Sequence, residues 1–177
     1  MAFPGTISIS AQLFSQLLTE IIQGLEQQGF KHIYFLNGHG ANLEPLKACV
    51  TTQMAMKTGL QIRVRSWWDF DAVNALRQQY YGAWEGMHAT PSEIAITQTV
   101  YRAVTPGSAA TPPEKLPPAY IKAHAGDKHG PPEQHRAQFP DGRVGSHSAL
   151  ARPEHGEALL TAAIAAMTAD YREFVAL

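Results

Sequence analysis

A short apolar run from Ile33 to Leu36 stops abruptly at the hexapeptide Asn37-Gly38-His39-Gly40-Ala41-Asn42. Glycine has no Cβ, so the two glycines let the backbone turn tightly on either side of His39. Open α/β sheets commonly bind ligands at the carboxyl ends of their strands. The pattern therefore predicts a strand that ends in a loop, with an imidazole held at a ligand-binding edge.

A second segment, Trp84 to Glu93, places His88 and a carboxylate where a helix is expected to begin. Its sequence Thr90-Pro91-Ser92-Glu93 is typical of a capping box, in which the Glu93 side chain would fold back on Thr90. The alternative is that Glu93 points away from the helix as a metal ligand. Together the two histidine segments indicate a metal-assisted hydrolase.

The first part of the chain alternates between helical and extended patterns, which is typical of an α/β sandwich with a mainly parallel sheet. Two βα units in sequence join parallel strands through right-handed crossovers, so both strand ends should lie at one edge. The predicted elements are a helix capped by Ser10 and ended by Gly29, a strand His32 to Leu36, a helix opened by Asn42 and ended by Gly59, and a strand Leu60 to Arg65.

The remainder of the chain is less regular. A helix capped by Asp69 or Asp71 and another from Pro91 to about Tyr101 are expected, followed by a long and mostly irregular segment at about 104–150 that is crowded with Pro, Gly, Ser and His. A closing amphipathic helix begins near Pro153. We expect a single domain over residues 1–177.

Composition excludes several classes of partner. The 14 Lys and Arg residues against 15 Asp and Glu residues give a net charge of −1, which leaves no electrostatic footprint for nucleic acid or for an anionic membrane. No stretch of about 18 apolar residues could span a bilayer, and the first residues do not resemble a signal peptide. The lone Cys49 indicates a reducing compartment, so we expect a cytoplasmic protein.

The sequence resembles the creatininase (creatinine amidohydrolase) family at several motifs that occur in the same order. The matching segments are Phe3-Pro4-Gly5-Thr6, the Asn37 to Asn42 loop, His88-Ala89-Thr90-Pro91-Ser92-Glu93, Pro140-Asp141-Gly142-Arg143-Val144-Gly145, and Glu154 to Gly156. The resemblance implies a creatininase-like three-layer α/β sandwich. It covers only about the last two thirds of a typical member, so the fold is expected to lack the N-terminal portion.

The resemblance also implies roles for particular residues. Family members bind two divalent metal ions, zinc or manganese, mostly through a Glu-x-His pair and an Asp that precede the first motif, and this chain begins after them. His39 matches a metal ligand, and Glu93 is the candidate for a second, because Ala41 stands where creatininase itself has an acidic ligand. The alternative for His39 is a turn histidine that only caps the strand.

His88 matches the catalytic histidine that passes a proton to the leaving nitrogen, a task suited to an imidazole. Its alternative is a half-buried histidine that is hydrogen-bonded to backbone. Trp84 matches a tryptophan that covers the substrate, although plain packing explains it equally well. Trp67 and the loop residues Gly38, Gly40 and Asn42 complete the expected substrate-binding residues.

The leading hypothesis is a metal-dependent amidohydrolase that opens a C–N bond of a small amide other than creatinine, with an incomplete metal site in this chain. Its small-molecule partner is the amide substrate, and a homo-oligomer, a hexamer in the family, is expected. The rival is a truncated, inactive member that serves as an assembly or interaction subunit. Nucleotide binding ranks last, because the Gly38 loop does not match a Gly-x-Gly-x-x-Gly fingerprint.

Overall fold

The computed structural model describes residue 3 and residues 5–56, 59–101, 107–124 and 130–177. The chain divides into two compact units. The first unit comprises Met1–Thr6 and Trp68–Met167, and the second comprises Ile7–Trp67 and Thr168–Leu177.

The second unit is built on two parallel strands, β1 (His32–Asn37) and β2 (Gln61–Ser66), with α1 (Ala11–Gln27) and α2 (Leu43–Ala55). The predicted parallel pair of strands is confirmed, and each strand lies within one residue of its expected position. The strands pair in register, from His32 with Gln61 to Asn37 with Ser66. Both strands therefore end side by side.

Apolar side chains from both helices and both strands form the core of the second unit. Burial of these side chains is the main favourable contribution to folding this unit. The buried members are Leu18, Ile22, Ile33, Leu46, Cys49, Val50, Leu60 and Ile62. As predicted, Ser10 caps α1, accepting a hydrogen bond of 3.1 Å from the backbone N–H of Leu13.

The end of α7 (Pro153–Val175) also belongs to the second unit, where Asp170 accepts hydrogen bonds from the strands. Tyr34 donates to it from β1 at 2.8 Å, and the guanidinium groups of Arg63 and Arg65 donate from β2 at 3.0–3.1 Å. Burial alone would raise the pKa of Asp170, but these hydrogen bonds and the two positive charges outweigh it and lower the pKa.

The first unit is mainly helical. It contains α3 (Asp71–Tyr80), α4 (Pro91–Tyr101), α5 (Pro118–Ala123), α6 (Pro132–Gln138) and most of α7. Short 3-10 helices lie at Gly82–Trp84, Gly107–Ala110 and Ser148–Leu150. The α4 bounds match the sequence prediction. Among the described residues, no helix combines the length and apolarity needed to cross a bilayer.

Three local predictions need correction. Neither Asp69 nor Asp71 caps α3, because Phe70 occupies the N-cap position without a side-chain hydrogen bond and Asp71 already lies in the first turn. Asn42 stands at the N-cap position of α2, as predicted, but its side chain does not cap the helix with a hydrogen bond. The 104–150 segment contains α5 and α6, although 104–106 and 125–129 lie outside the described residues.

Gly156 explains why α7 can approach α4 closely. A Cβ atom at Gly156 would lie 2.0 Å from the backbone carbonyl oxygen of Ala95, a separation that no side chain can adopt. Glycine is therefore required at this helix crossing.

Candidate functional site

The loop after β1 is held by the side chain of Asn37, which is buried at the end of the strand. Its Nδ2 donates to the backbone oxygen of His39 at 2.9 Å and to Oγ of Ser66 at 3.1 Å, and its Oδ1 accepts from the His39 N–H at 3.3 Å. Since Asn37 and Ser66 are register partners at the ends of the two strands, this amide fixes the loop to the sheet edge.

His39 lies exposed in this loop, as the sequence predicted, and its ring also caps the 3-10 helix Gly40–Asn42. Nδ1 accepts a hydrogen bond of 3.2 Å from the backbone N–H of Ala41. In the neutral imidazole this arrangement leaves the proton on Nε2. A metal bound through Nε2 would require the proton to move to Nδ1, and the bond to Ala41 would then be lost.

The substrate-binding residues that the sequence predicted near His39 also belong to the second unit. Gly38 and Asn42 are exposed, Gly40 is partly exposed, and Trp67 is half-buried at the turn after β2. Gly38 does not need the left-handed backbone region, and a Cβ there would meet nothing within 4 Å. The prediction that a tight turn requires glycine at position 38 is therefore wrong.

His88 belongs to the first unit, where its segment is hydrogen-bonded backbone to backbone with Val144 and its neighbours. His88 and Val144 form an isolated antiparallel bridge, Met87 donates to Val144 at 2.9 Å, and His147 donates to the carbonyl of Trp84 at 2.9 Å. Gly86 is essential to this contact, since a Cβ there would lie 2.5 Å from the backbone nitrogen of Ser146. The contact fixes the backbone position of the half-buried His88.

The residue after His88 has an unusual backbone conformation. Ala89 has a φ of 53°, in the left-handed region that favours glycine. Its carbonyl oxygen accepts a hydrogen bond of 2.6 Å from Oγ of Ser148, which holds the turn in place. Strained backbone of this kind is often found at functional sites.

Glu93 forms the capping box that the sequence offered as an alternative. Its Oε2 accepts from the backbone N–H of Thr90 at 3.0 Å and from the Thr90 hydroxyl at 2.7 Å, while the Glu93 N–H donates to Oγ1 of Thr90 at 3.2 Å. One carboxylate oxygen is thus occupied at the start of α4. The metal-ligand role of Glu93 stays a prediction.

A chain of buried polar side chains continues from this capping box. The Thr90 and Ser92 hydroxyls lie 3.1 Å apart, Ser92 donates to Oε1 of Glu85, and Nε of Arg77 donates to the same oxygen at 2.8 Å. Oε2 of Glu85 is buried and has no hydrogen-bond partner among the described residues. The chain links the end of α3 to the beginning of α4, on either side of His88.

Burial controls the acid–base properties around Glu85. Burial raises the pKa of Glu85, and the nearby positive charge of Arg77 only partly offsets this effect. Burial, followed by the charge of Glu85, raises the pKa of Tyr81 above its usual range. The Tyr81 hydroxyl lies 3.1 Å from Nδ1 of His155, whose pKa is lowered by burial and by the charge of Arg152.

Trp84 is half-buried beside the His88 segment. Its ring packs against that of His147 in an edge arrangement with centroids 5.6 Å apart, and the Lys115 ammonium lies 4.4 Å from its centroid. These contacts fix the indole in the first unit. Its expected role as a cover for substrate is a prediction.

The described residues do not form a set of metal ligands. Among them, no three His, Cys, Asp or Glu side chains are grouped so that they could hold a metal ion. His39 and Glu93 each have one potential metal-ligating atom that already accepts a local hydrogen bond, Nδ1 of His39 from Ala41 and Oε2 of Glu93 from Thr90. A metal ion therefore does not fit these residues alone.

A model of the creatininase family, described as creatinine amidohydrolase, matches residues 1–170. The chain belongs to the creatininase family. No curated protein matched it. Membership in this amidohydrolase family confirms the resemblance that the motifs predicted.

Solved creatininase structures share the fold of this creatininase-family chain. A variant with one tryptophan replaced by phenylalanine is 24% identical with a TM-score of 0.76, over 98% of this chain and 68% of that chain. A manganese form gives the same four values. A glutamate-to-glutamine variant complexed with creatine is 23% identical with a TM-score of 0.75, over 97% of this chain and 68% of that chain. These likenesses confirm the predicted α/β creatininase fold.

Sequence reasoning missed the buried polar residues that support the family motifs, namely Asn37, Arg77, Glu85 and Ser92. Asn37 had a detectable signal, because a polar residue at the last position of a strand often fixes the following loop. Glu85 and Arg77 had no such sequence signal, since each has the pattern of an ordinary surface charge in an amphipathic segment.

Proposed function

We propose that this chain acts as a creatininase-family amidohydrolase on the C–N bond of a small amide other than creatinine, with divalent metal ions, zinc or manganese, as its cofactors. The observation that carries this proposal is the backbone contact between the His88 segment and Val144, which fixes a histidine beside a strained turn. Family membership supplies the reaction class.

In this proposal His88 is the catalytic acid–base residue. Hydrolysis adds water to the carbonyl carbon of the amide, and His88 delivers a proton to the leaving nitrogen as the C–N bond breaks, so that the products are a carboxylate and a neutral amine. Trp84 lies four residues earlier on the same rigid segment and is proposed to contact the substrate. The hydrogen bond from His147 to the carbonyl of Trp84 holds this part of the segment in place.

His39 and Glu93 are the proposed contributions of this chain to metal binding, and Gly38, Gly40, Asn42 and Trp67 the proposed substrate contacts of the second unit. We propose that this metal site is incomplete, an idea supported by the lack of any three-ligand group among the described residues. Because the ligands on hand do not fit a metal, no catalytic step is assigned to one.

The alternative function is that of an inactive assembly or interaction subunit. The lack of a three-ligand group among the described residues favours this alternative. Two ligands cannot hold the two-metal centre that amide hydrolysis of this type requires. A homo-oligomer and a cytoplasmic location are proposed under either function.

The experiment is an assay of the purified chain against a panel of small linear and cyclic amides, with zinc or manganese added, together with elemental analysis. We expect less than one tightly bound metal ion per chain, and amine release that falls about 100-fold or more in His88→Gln. His32→Gln serves as the matched control, because His32 lies at the first position of β1, at the opposite end of the strand from the His39 loop, and packs against Phe174. It should leave amine release unchanged.

The possible results separate the two functions. A fully occupied two-metal site would contradict the incomplete-site proposal. Amine release that is equal in wild type and His88→Gln would contradict the role of His88. No amine release from any amide, with metal bound, would favour the assembly subunit.

A further inference from the structure

A cleft of about 420 Å³ lies in the first unit, lined by residues from 113–120 and from 138–145. The second of these segments contains Val144, the bridge partner of His88. The walls of the cleft combine apolar side chains with charged ones. The lining residues are Pro113, Glu114, Lys115, Leu116, Pro117, Tyr120, Gln138, Phe139, Pro140, Asp141, Arg143 and Gly145. A cleft of this size and composition is suited to a small organic ligand.

Arg143 is held rigidly in the wall of this cleft, with only 9% of its side chain exposed. Its Nε donates to Asp141 at 2.8 Å, and its Nη1 donates to the carbonyl oxygens of Ala109 and Thr111 at 3.1 and 2.8 Å. Nη2 donates no hydrogen bond to any of the described residues. The guanidinium thus offers an unused, preorganised edge.

Both oxygens of Asp141 are already occupied by Arg143. Oδ1 accepts the Arg143 backbone N–H at 3.0 Å, and Oδ2 accepts Nε. Burial alone would raise the pKa of Asp141, but the hydrogen bonds and charge of Arg143 outweigh it and lower the pKa. Asp141 therefore stays ionised and orients the Arg143 guanidinium.

Lys115 supplies a second positive charge to the same cleft. Its ammonium lies 4.4 Å from the Trp84 ring centroid, and none of the described carboxylates comes within ion-pair distance of it. An aromatic face attracts a cation but does not neutralise it. Glu114, the residue before Lys115, also lines the cleft and reduces its positive potential, although it forms no ion pair with Lys115.

The cleft adjoins the segment that carries His88. Gly145 lines the cleft. A Cβ at Gly145 would lie 2.6 Å from Cγ of Leu116, so Leu116 packs directly on the backbone at Gly145. The preceding residue, Val144, bridges to His88, and Lys115 contacts the ring of Trp84. A ligand in the cleft would thus lie beside the proposed catalytic segment.

We propose that this cleft recognises the carboxylate of the substrate, so that the preferred substrates are small amides that carry a carboxylate, such as N-acyl amino acids. Nη2 of Arg143 and the ammonium of Lys115 donate to the carboxylate, and Leu116, Tyr120 and Phe139 contact the apolar part. The amide bond of this substrate rests on the proposed amidohydrolase function. Its carboxylate is inferred from the cleft alone.

The test is isothermal titration calorimetry of the full chain with N-acetylglycine and N-acetylglycinamide, which differ in replacing the carboxylate with a neutral amide. We expect N-acetylglycine to bind at least tenfold more tightly at low salt, and the preference to shrink as ionic strength rises. Lys115→Met should reduce the preference to less than about threefold, and Lys115→Arg should restore it.

Lys122→Met is the matched control, because it removes one positive charge from the exposed side of α5 and Lys122 does not line the cleft. It should leave the preference unchanged. Glu114→Gln should strengthen N-acetylglycine binding by about twofold, since it removes a negative charge at the cleft. Circular dichroism of each variant checks that the fold is retained.

Equal affinity of the wild-type chain for the two compounds would overturn the proposal, as would equal losses in Lys115→Met and Lys122→Met. The calorimetry does not depend on turnover. Selective binding of N-acetylglycine without hydrolysis of any amide would therefore support the cleft and contradict the proposed function. Hydrolysis of neutral amides with no carboxylate preference would support the proposed function and contradict the role of the cleft.

Discussion

Nε of Arg77 lies 2.8 Å from Oε1 of Glu85, and the two side chains are only 23% and 12% exposed. Ser92 donates to the same oxygen, whereas Oε2 of Glu85 is buried and accepts no hydrogen bond from the part of the chain that the structure describes. A largely buried ion pair contributes little to stability on balance, yet it becomes costly when one partner is removed. The pair joins α3 to the segment that carries His88, and the Ser92 bond extends this link to the first turn of α4.

Glu85→Gln should change how stability depends on pH. Burial raises the pKa of Glu85 in the folded protein, so its stabilising contribution is complete below the unfolded value of about 4.3 and declines as pH rises through the folded value. Glutamine cannot ionise. The unfolding free energy of Glu85→Gln relative to wild type should therefore increase as pH rises above the unfolded value.

Urea unfolding at several pH values measures this difference. Glu157→Gln is the control, because Glu157 is exposed on α7, and its difference from wild type should stay within about 0.5 kcal/mol at every pH. A difference for Glu85→Gln that is flat or declines with pH would show that the carboxylate is not disfavoured by burial.

Substitutions of Glu93 should separate its capping role from a metal-binding role. Glu93→Gln keeps an oxygen that can accept from Thr90, so its unfolding free energy should fall by less than about 0.5 kcal/mol, whereas Glu93→Ala should lose about 1 kcal/mol. Thermal unfolding without metal measures both. Equal losses in the two variants would argue against the capping box.

Zinc titration of the same variants addresses the proposed ligand. If Glu93 binds metal, Glu93→Gln should weaken zinc binding by at least tenfold despite its intact stability, because a neutral amide is a poor ligand for zinc. Thr90→Ala removes the hydroxyl but not the carboxylate and serves as the comparison. Unchanged zinc affinity in Glu93→Gln would leave the cap as its only role.

Asp170→Asn should destabilise the second unit at neutral pH. The lowered pKa of Asp170 means that its contribution is present above the unfolded value of about 3.9 and is lost as pH falls through the folded value. At pH 7 we expect a loss of about 2 kcal/mol, because asparagine cannot serve the donors of Tyr34, Arg63 and Arg65 as a carboxylate does.

Chemical unfolding at pH 7 and at pH 3 and below checks this prediction. The difference between wild type and Asp170→Asn should shrink as the solution becomes more acidic. Glu173→Gln is the control, since Glu173 is 72% exposed and lies 3.6 Å from Arg63, and it should cost less than about 1 kcal/mol. Equal costs for the two variants would refute the role assigned to Asp170.

Gly156→Ala should be strongly destabilising. Its new methyl group would lie 2.0 Å from the carbonyl oxygen of Ala95, and backbone cannot move aside as a flexible side chain can. We expect a loss of about 3 kcal/mol by thermal unfolding. Gly24→Ala is the matched control within α1, where a Cβ meets nothing within 4 Å, and it should stabilise by up to about 1 kcal/mol.

Local sequence signals predicted the elements that local physics determines. Ser10 and the apolar periodicity of the following residues defined α1, and the two short apolar runs defined β1 and β2. The prolines that begin α5 and α6 are also helix-start signals, but the density of Pro and Gly around them obscured both helices.

The support of the candidate site could not be predicted in this way. The Asn37–Ser66 hydrogen bond depends on strand register, and the Glu85–Ser92 bond depends on how the segment after α3 folds back on the first turn of α4. Both join residues that are distant along the chain or separated by a turn. Family motifs identified His39, His88 and Glu93, whereas the hydrogen bonds made by His39 and Glu93 required coordinates.

Two glycines impose a steric condition on the His88 region. At Gly86 and Gly145 even one added carbon would collide with Ser146 or with Leu116. The spacing between these segments is set by the smallest residue available, so any bulkier side chain there would push them apart and move the imidazole with its backbone. Engineering of this protein should therefore vary the outer walls of the cleft and leave these two positions untouched.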